Sequence, residues 1–295
     1  MIPVLLAAAL PFVQAAQLPA SHPPIVSASY VPQRVFDTRR KAFSDFEVML
    51  ADLARADAVF VGEQHDDRNT HRLELAIVEG LTRRGVTVIV ALEMFERDVQ
   101  PVVERYASGA IDEEQFLKES RPWPRYATDY RPLIEFARAH KLAIVASNVP
   151  RRIAAAVGKN GLSVVDGLGS DRPLAAKEVN CPKSGSYYDR FAAAMGGHDG
   201  SNPNFYFAQC LKDETMGEAV AEAFNKAGDR VTIVHINGAF HSDFTEGTAA
   251  SARRRMPGRR IAVVSMLPVG DLDTEKPAEE DLKRADYLVF TVSSK

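Results

Sequence analysis

The sequence predicts a three-layer α/β/α fold with a mainly parallel central sheet and an inserted helical lobe. Three observations predict it. Short apolar runs rich in valine alternate with segments of helical periodicity. The runs are apolar throughout rather than alternating, as in strands covered on both faces. Several of them stop abruptly in a polar group, Glu63, Glu93, Asn148 or Asn237. In such sheets ligands bind outside the carboxyl ends of the strands.

The chain of 295 residues is long enough to bury a large core, and its 46% hydrophobic and 25% charged content is that of a globular protein. A net charge of -3 gives no reason to expect nucleic acid or an acidic membrane as partner. Residues 1–16 resemble a secretory signal, with an apolar run from Ile2 to Leu10 and small residues near Ala15. The run is too short and too broken by Pro11 to span a bilayer. No cysteine stands directly after it, so a periplasmic location without a lipid anchor is expected. Residues 17–40, with Pro19, Pro23, Pro24 and Pro32, read as an extended arm, and 41–295 as the α/β domain. Cys181 and Cys210 are the two cysteines; an exported chain could pair them, and spacing alone does not decide it.

In order, Phe43 to Ala56 reads as a first helix and Ala58 to Gly62 as the first core strand. Asn69 to Arg84 has Leu73, Ile77 and Leu81 at helical spacing, and Gly85 ends it. Val86 to Leu92 is the next strand, ending at Glu93. Arg97 to Glu119 holds helical segments, broken by Arg121-Pro122-Trp123-Pro124. Asp129 is expected to cap a helix to His140, with Pro132 tolerated in its first turn. Leu142 to Ala146 is a third strand, and Pro150 starts a helix to about Gly158. Residues 159–226 form the inserted, mostly helical lobe. Within it Asn202-Pro203 opens a long helix to Lys226. A strand from Val231, a helix from Gly247 to Arg255, and strands at Ile261 to Met266 and Tyr287 to Val292 complete the chain. The basic run Arg253 to Arg260 reads as a solvated helix end that complements the dipole.

Two strand ends share a motif, Gly62-Glu63-Gln64-His65 and Gly238-Ala239-Phe240-His241. His65 and His241 suit metal ligation or acid/base work, because imidazole titrates near neutrality and binds metals well. Glu63 and Glu93 suit a carboxylate ligand or a general base. Two histidines and a carboxylate with an open position would support hydrolysis by a metal-bound water. Each glycine is expected to let the chain turn sharply at the sheet edge. His235 reads as a core histidine with a hydrogen-bond partner. His71 reads as a surface residue, because six residues is a poor helical match to His65. His140 sits at a helix end, His22 in the arm, and His198 in a glycine-rich loop that could bring a ligand from the lobe. Gln209, Asp213 and Met216 share one helix face and suit the lining of a polar pocket. Tyrosines cluster at Tyr126 and Tyr130, at Tyr187 and Tyr188, and at Tyr206; a phenolate can hold ferric haem iron.

Six blocks in order resemble the ChaN-like haem-binding uptake family of the Tiki superfamily. They are Val61 to Asp66, Ala91 to Phe95, Tyr130 to Ala137, Ser147 to Pro150, Gln209 to Met216 and Asn237 to Asp243. The resemblance implies an α/β fold, haem as ligand, and iron or haem uptake in the bacterial envelope beside outer-membrane uptake machinery. It also implies a haem site closed by a homodimer. Asp66, Tyr130, Arg131, Asn148 and Asn237, which lie in these blocks, join Gln209, Asp213 and Met216 as ligand-binding candidates. The superfamily also includes Tiki-type proteases and is similar in fold to erythromycin esterases. That side of the resemblance implies a divalent metal on His65 and His241, with Glu93 or Glu63 as base, in a peptide or ester hydrolase.

Overall fold

The computed structural model describes residues 30–196 and 202–295. The expected signal segment, the first part of the arm, His22 and His198 lie outside the described residues. The elements are β1 (Gln33–Asp37), β2 (Ala42–Ser44), α1 (Phe46–Leu53), β3 (Ala58–Glu63), α2 (Arg68–Arg83), β4 (Thr87–Glu96), α3 (Gln100–Ala107), α4 (Glu113–Ser120) and α5 (Arg131–Ala139). They continue with β5 (Ala143–Asn148), α6 (Arg151–Asn160), α7 (Ser186–Ala194), α8 (Pro203–Ala227), β6 (Val231–Gly238), α9 (Gly247–Arg255), β7 (Ile261–Val269) and β8 (Tyr287–Val292).

One sheet runs in the order β2-β1-β8-β7-β3-β6-β4-β5. The six strands from β8 to β5 are parallel, and β1 and β2 add antiparallel pairings at one edge. Successive strand residues point to opposite faces, so each core strand feeds two cores. Val59, Val61, Val90 and Val234 pack with α1 to α5 on one side. Phe60, Ala91, Ile233 and Val263 pack with α8 and α9 on the other. This is the predicted three-layer arrangement.

Some expected elements differ. The first helix starts at Phe46, not Phe43, because Asp45 caps it by accepting from the Glu47 amide at 2.7 Å. Residues 42–44 instead pair with β1, and β1 itself is the end of the arm, locked against β8. Asp129 does not cap α5, whose N-cap Tyr130 has no side-chain bond. Its carboxylate turns inward, 2.6 Å from Arg125 Nε and 3.7 Å from His71 Nε2. β4 continues past Glu93 to Glu96, so Glu93 lies inside a strand. The long helix α8 is capped by Asn202, with Pro203 in its first turn. It spans both regions: Leu211 packs in the lobe while Val220 and Phe224 cover the sheet. The basic run is only partly solvated, because Arg254 and Arg255 pair with buried Glu214.

Cys181 and Cys210 form a disulfide, fastening the α7 region to α8. No helix among the described residues is long and apolar enough to cross a membrane.

Candidate functional site

The two Gly-x-x-His motifs end adjacent parallel strands. β3 pairs with β6 so that Gly62 lies beside Asn237 and Glu63 beside Gly238. The glycines interlock the two turns. A Cβ on Gly62 would stand 2.9 Å from the Ala239 Cα, and one on Gly238 would stand 2.6 Å from His65 Nε2. Neither glycine has a positive φ, so close approach, rather than the expected sharp turn, is what sets them: the Ala239 backbone excludes a side chain at Gly62, and one at Gly238 would displace the His65 ring.

Two carboxylate–imidazole pairs result. In the first, His65 Nδ1 bonds Glu63, whose Oε1 also accepts from the Tyr130 hydroxyl at 2.9 Å. The Glu63 carboxylate is buried, while the His65 side chain is 47% exposed and lies edge-on to Trp123. Burial opposes ionisation of Glu63, but His65 and His71 outweigh it and hold it well below the usual carboxylate range. Burial likewise opposes the His65 charge, and the bond to Glu63 raises its pKa.

In the second pair, His241 lies between two carboxylates. Its Nδ1 is 2.7 Å from Asp213 Oδ1 and its Nε2 is 3.2 Å from Glu93 Oε1. Burial works against the imidazolium, yet Glu93 and Asp213 push its pKa up to about 10. Burial would raise Glu93, but the His241 charge brings it down to about 2. Glu93 Oε2 accepts from the Gly238 amide at 2.8 Å. Asp213 is held by the hydroxyls of Thr248 (2.8 Å) and Tyr187, and the Gln209 amide nitrogen stands 3.2 Å from His241 Nε2.

His235 is the hydrogen-bonded core histidine that the sequence predicts, bonded to Asn237 Oδ1 at 2.9 Å and Ser147 Oγ at 3.0 Å. Burial lowers its pKa to about 4, so it is neutral. Asn237 also donates to Ser242 Oγ at 3.0 Å, tying strand β6 to the turn that carries His241. Asn148 donates to the Glu93 carbonyl at 3.0 Å. Glu63, His65, Tyr130, Glu93, Asn148, Gln209, Asp213, Asn237 and His241 thus gather around the ends of β3, β6, β4 and β5. Three candidates stand apart. Asp66 is exposed and pairs with Lys295 at 2.6 Å. Arg131 pairs with Glu113 at 2.6 Å. Met216 is fully buried packing.

His71 is not on the surface. It is buried, with Nδ1 3.1 Å from Glu63 Oε2 and 3.3 Å from Glu74 Oε2. The helical-spacing argument fails because His65 precedes α2, whose N-cap is Asp67. The first turn of α2 therefore tucks His71 beneath the end of β3. Burial works against the His71 imidazolium, but Glu74 and Glu63 outweigh it and raise its pKa to about 11. Glu74 is raised well above the carboxylate range by burial and by Glu63. A sequence signal existed, since His71 and Glu74 are spaced i, i+3 beside Ile77, Val78 and Leu81 of the buried face.

Beside these pairs lies a cleft of about 620 Å³. Trp123, Val149, Ala154, Phe205 and Ala208 give it apolar walls, and Asn148 and Lys212 join it to the second pair. Arg151, Lys159 and Lys212 stand along it, none in an ion pair with a described residue. An apolar slot with cations along it suits a flat apolar ligand bearing carboxylates.

The family described as "Haem-binding uptake, Tiki superfamily, ChaN" matches residues 49–251. The solved structure of ChaN of Campylobacter jejuni, described as showing cofacial heme binding, aligns with a TM-score of 0.63 at 16% identity. It covers 88% of this chain and 96% of that one, and shows the shared fold. An erythromycin esterase, EreC, aligns at a TM-score of 0.46 and 12% identity over 89% of this chain and 83% of that one. Protein RETICULATA-RELATED 5, chloroplastic, of Arabidopsis thaliana is 24% identical over 265 residues, 82% of this chain. The chain spans about a third of that protein's length, 35%.

Proposed function

The chain belongs to the haem-binding uptake family of the Tiki superfamily, and from that membership we propose that it binds haem in the cleft between α6 and α8. The observation that carries this reading is the cleft's composition. Its apolar walls suit the macrocycle, and Arg151, Lys159 and Lys212 suit the two propionates. None of the described residues lining it is a His, Tyr, Met or Cys, and we assign the axial donor to a residue beside it. His65, half exposed and edge-on to Trp123 of the cleft wall, is the residue we assign to that role. Bound iron would supply ligand exchange or redox chemistry; the described residues supply the slot, the cations and the imidazole.

We place the protein in the periplasm, as a carrier beside outer-membrane uptake machinery. The disulfide supports an oxidising compartment. The relative's cofacial binding supports two haems stacked between two copies, with exposed Phe205 at the joint. Titration with hemin tests binding. The expected result is a shifted Soret band that saturates near one haem per chain. Arg151→Glu with Lys159→Glu weakens it at least tenfold, and His65→Ala changes the band position. A flat, non-saturating titration overturns the reading. Light scattering with and without hemin tests the dimer, and cell fractionation tests the compartment.

A second reading, a metal-dependent peptide or ester hydrolase, is favoured by the twin Glu–His pairs on adjacent strand ends. His65 and His241 would be ligands, and Glu63 or Glu93 the base. Metal content and hydrolysis are compared in wild type and His65→Ala; equality in both discards it.

A further inference from the structure

The buried cluster of Glu63, His71 and Glu74 is separate from the haem cleft, and neither reading above uses His71 or Glu74. We infer that Glu63, His71 and Glu74 form a binding site for one divalent first-row transition cation, beneath the carboxyl end of β3.

The donor geometry fits. One oxygen from each carboxylate and one ring nitrogen of His71 lie within 4.8 Å of one another. The Nδ1 atom is 3.1 Å from Glu63 Oε2 and 3.3 Å from Glu74 Oε2. Donors around a tetrahedral ion with bonds of about 2.0–2.1 Å stand about 3.3–3.4 Å apart. Small shifts would therefore admit an ion.

The surrounding groups are arranged as they are around metal-bound histidines and carboxylates. His71 Nε2 faces the His65 carbonyl at 3.2 Å and Asp129 Oδ2 at 3.7 Å. A proton on Nε2 leaves the Nδ1 lone pair directed at the carboxylates. Tyr130 holds Glu63 by donating to its other oxygen at 2.9 Å. The ring of Tyr130 also packs edge-on against His71, with centroids 4.8 Å apart.

Charge and hydrogen-bond accounting point the same way. All three residues are buried. Glu63 Oε2 and Glu74 Oε1 accept no hydrogen bond. Such orphans are rare, and each costs free energy in an apolar interior. Asp129 is matched by Arg125 and the Oε1 of Glu63 by His65 and Tyr130, so on the inner side the Oε2 of Glu63 and the Glu74 carboxylate have only His71 to face. Two carboxylates and a neutral imidazole balance a divalent ion with no net buried charge. Imidazole nitrogen and carboxylate oxygen are both common donors to zinc and other first-row cations.

The test uses haem-free protein stripped with a chelator, then reloaded with zinc(II) or cobalt(II). Elemental analysis and the cobalt absorption spectrum report stoichiometry and donor set. One zinc per chain is expected, with a rise in Tm. Glu74→Gln, which keeps the shape of the side chain, should lose at least a hundredfold in affinity, and His71→Asn should lose binding. His241→Ala should keep one zinc per chain. Hemin titration of Glu74→Gln should match wild type, which separates this site from the haem reading. The inference is overturned if wild type takes up neither metal. It is also overturned if folded Glu74→Gln keeps full zinc content, or if His241→Ala loses zinc while Glu74→Gln retains it, which would place the ion on the paired histidines.

Discussion

Replacing Glu93 with Gln probes the second carboxylate–imidazole pair most directly. The substitution keeps the shape of the side chain, and an amide oxygen can still accept from the Gly238 amide. It removes the negative charge 3.2 Å from His241 Nε2. The rise of His241 from 6.5 to about 10 corresponds to about 5 kcal/mol of stability. The fall of Glu93 from 4.5 to about 2 corresponds to about 3 kcal/mol. Both describe largely one interaction and are not added; the His241 figure is larger because Asp213 also faces it. The smaller figure is therefore the expected cost of losing Glu93, about 3 kcal/mol, at the low end for breaking a buried pair. The pH window follows from the two signs. A raised His pKa contributes fully below 6.5 and is lost as pH rises through about 10. A depressed Glu pKa contributes above 4.5 and is lost as pH falls through about 2. The pair is thus fully formed between these limits, near pH 5.5. Urea denaturation of wild type and Glu93→Gln should show a difference of about 3 kcal/mol at pH 5.5, shrinking toward zero by about pH 10. A difference that stays constant from pH 5.5 to pH 10 refutes the assignment of the cost to this ion pair.

Three further outcomes are expected. Gly238→Ala drives a Cβ into His65 Nε2 and should cost about 1–3 kcal/mol in urea denaturation while shifting the His65 ring resonances; unchanged resonances would show that the turns do not interlock. Reducing the Cys181–Cys210 bond, 29 residues apart, should cost about 3.5 kcal/mol, and a Tm insensitive to reductant contradicts this. His235, lowered to about 4, favours folding above pH 6.5 and loses that contribution as pH falls toward 4. Its ring resonances should not titrate until near pH 4, and a midpoint near 6.5 would disprove its neutral burial.

Strand and helix order were legible because burial imposes a period. Runs such as Val88 to Leu92 sit between two helical layers and need to be apolar throughout, whereas α2 shows one apolar face in Leu73, Ile77 and Leu81. Polar strand ends were legible too, since a polar group closing an apolar run marks the edge of the sheet. That pattern groups Glu63, His65, Glu93, Asn148, Asn237 and His241 in the sequence itself. Strand neighbours were not legible. β6 lies between β3 and β4 although more than 130 residues separate it from either in sequence. Only that insertion brings Gly238 against His65 and Glu93 against His241. Residues that face inward from helices were lost for the same reason. Asp129 reads as a cap and His71 as surface because sequence period gives a helix face but not what lies beneath it. The sequence alone determined the layered α/β class and the polar rim of the sheet, because both follow from local burial patterns. The tertiary structure decided how carboxylates and imidazoles pair, because those contacts depend on strand order and on two glycines that let adjacent turns touch.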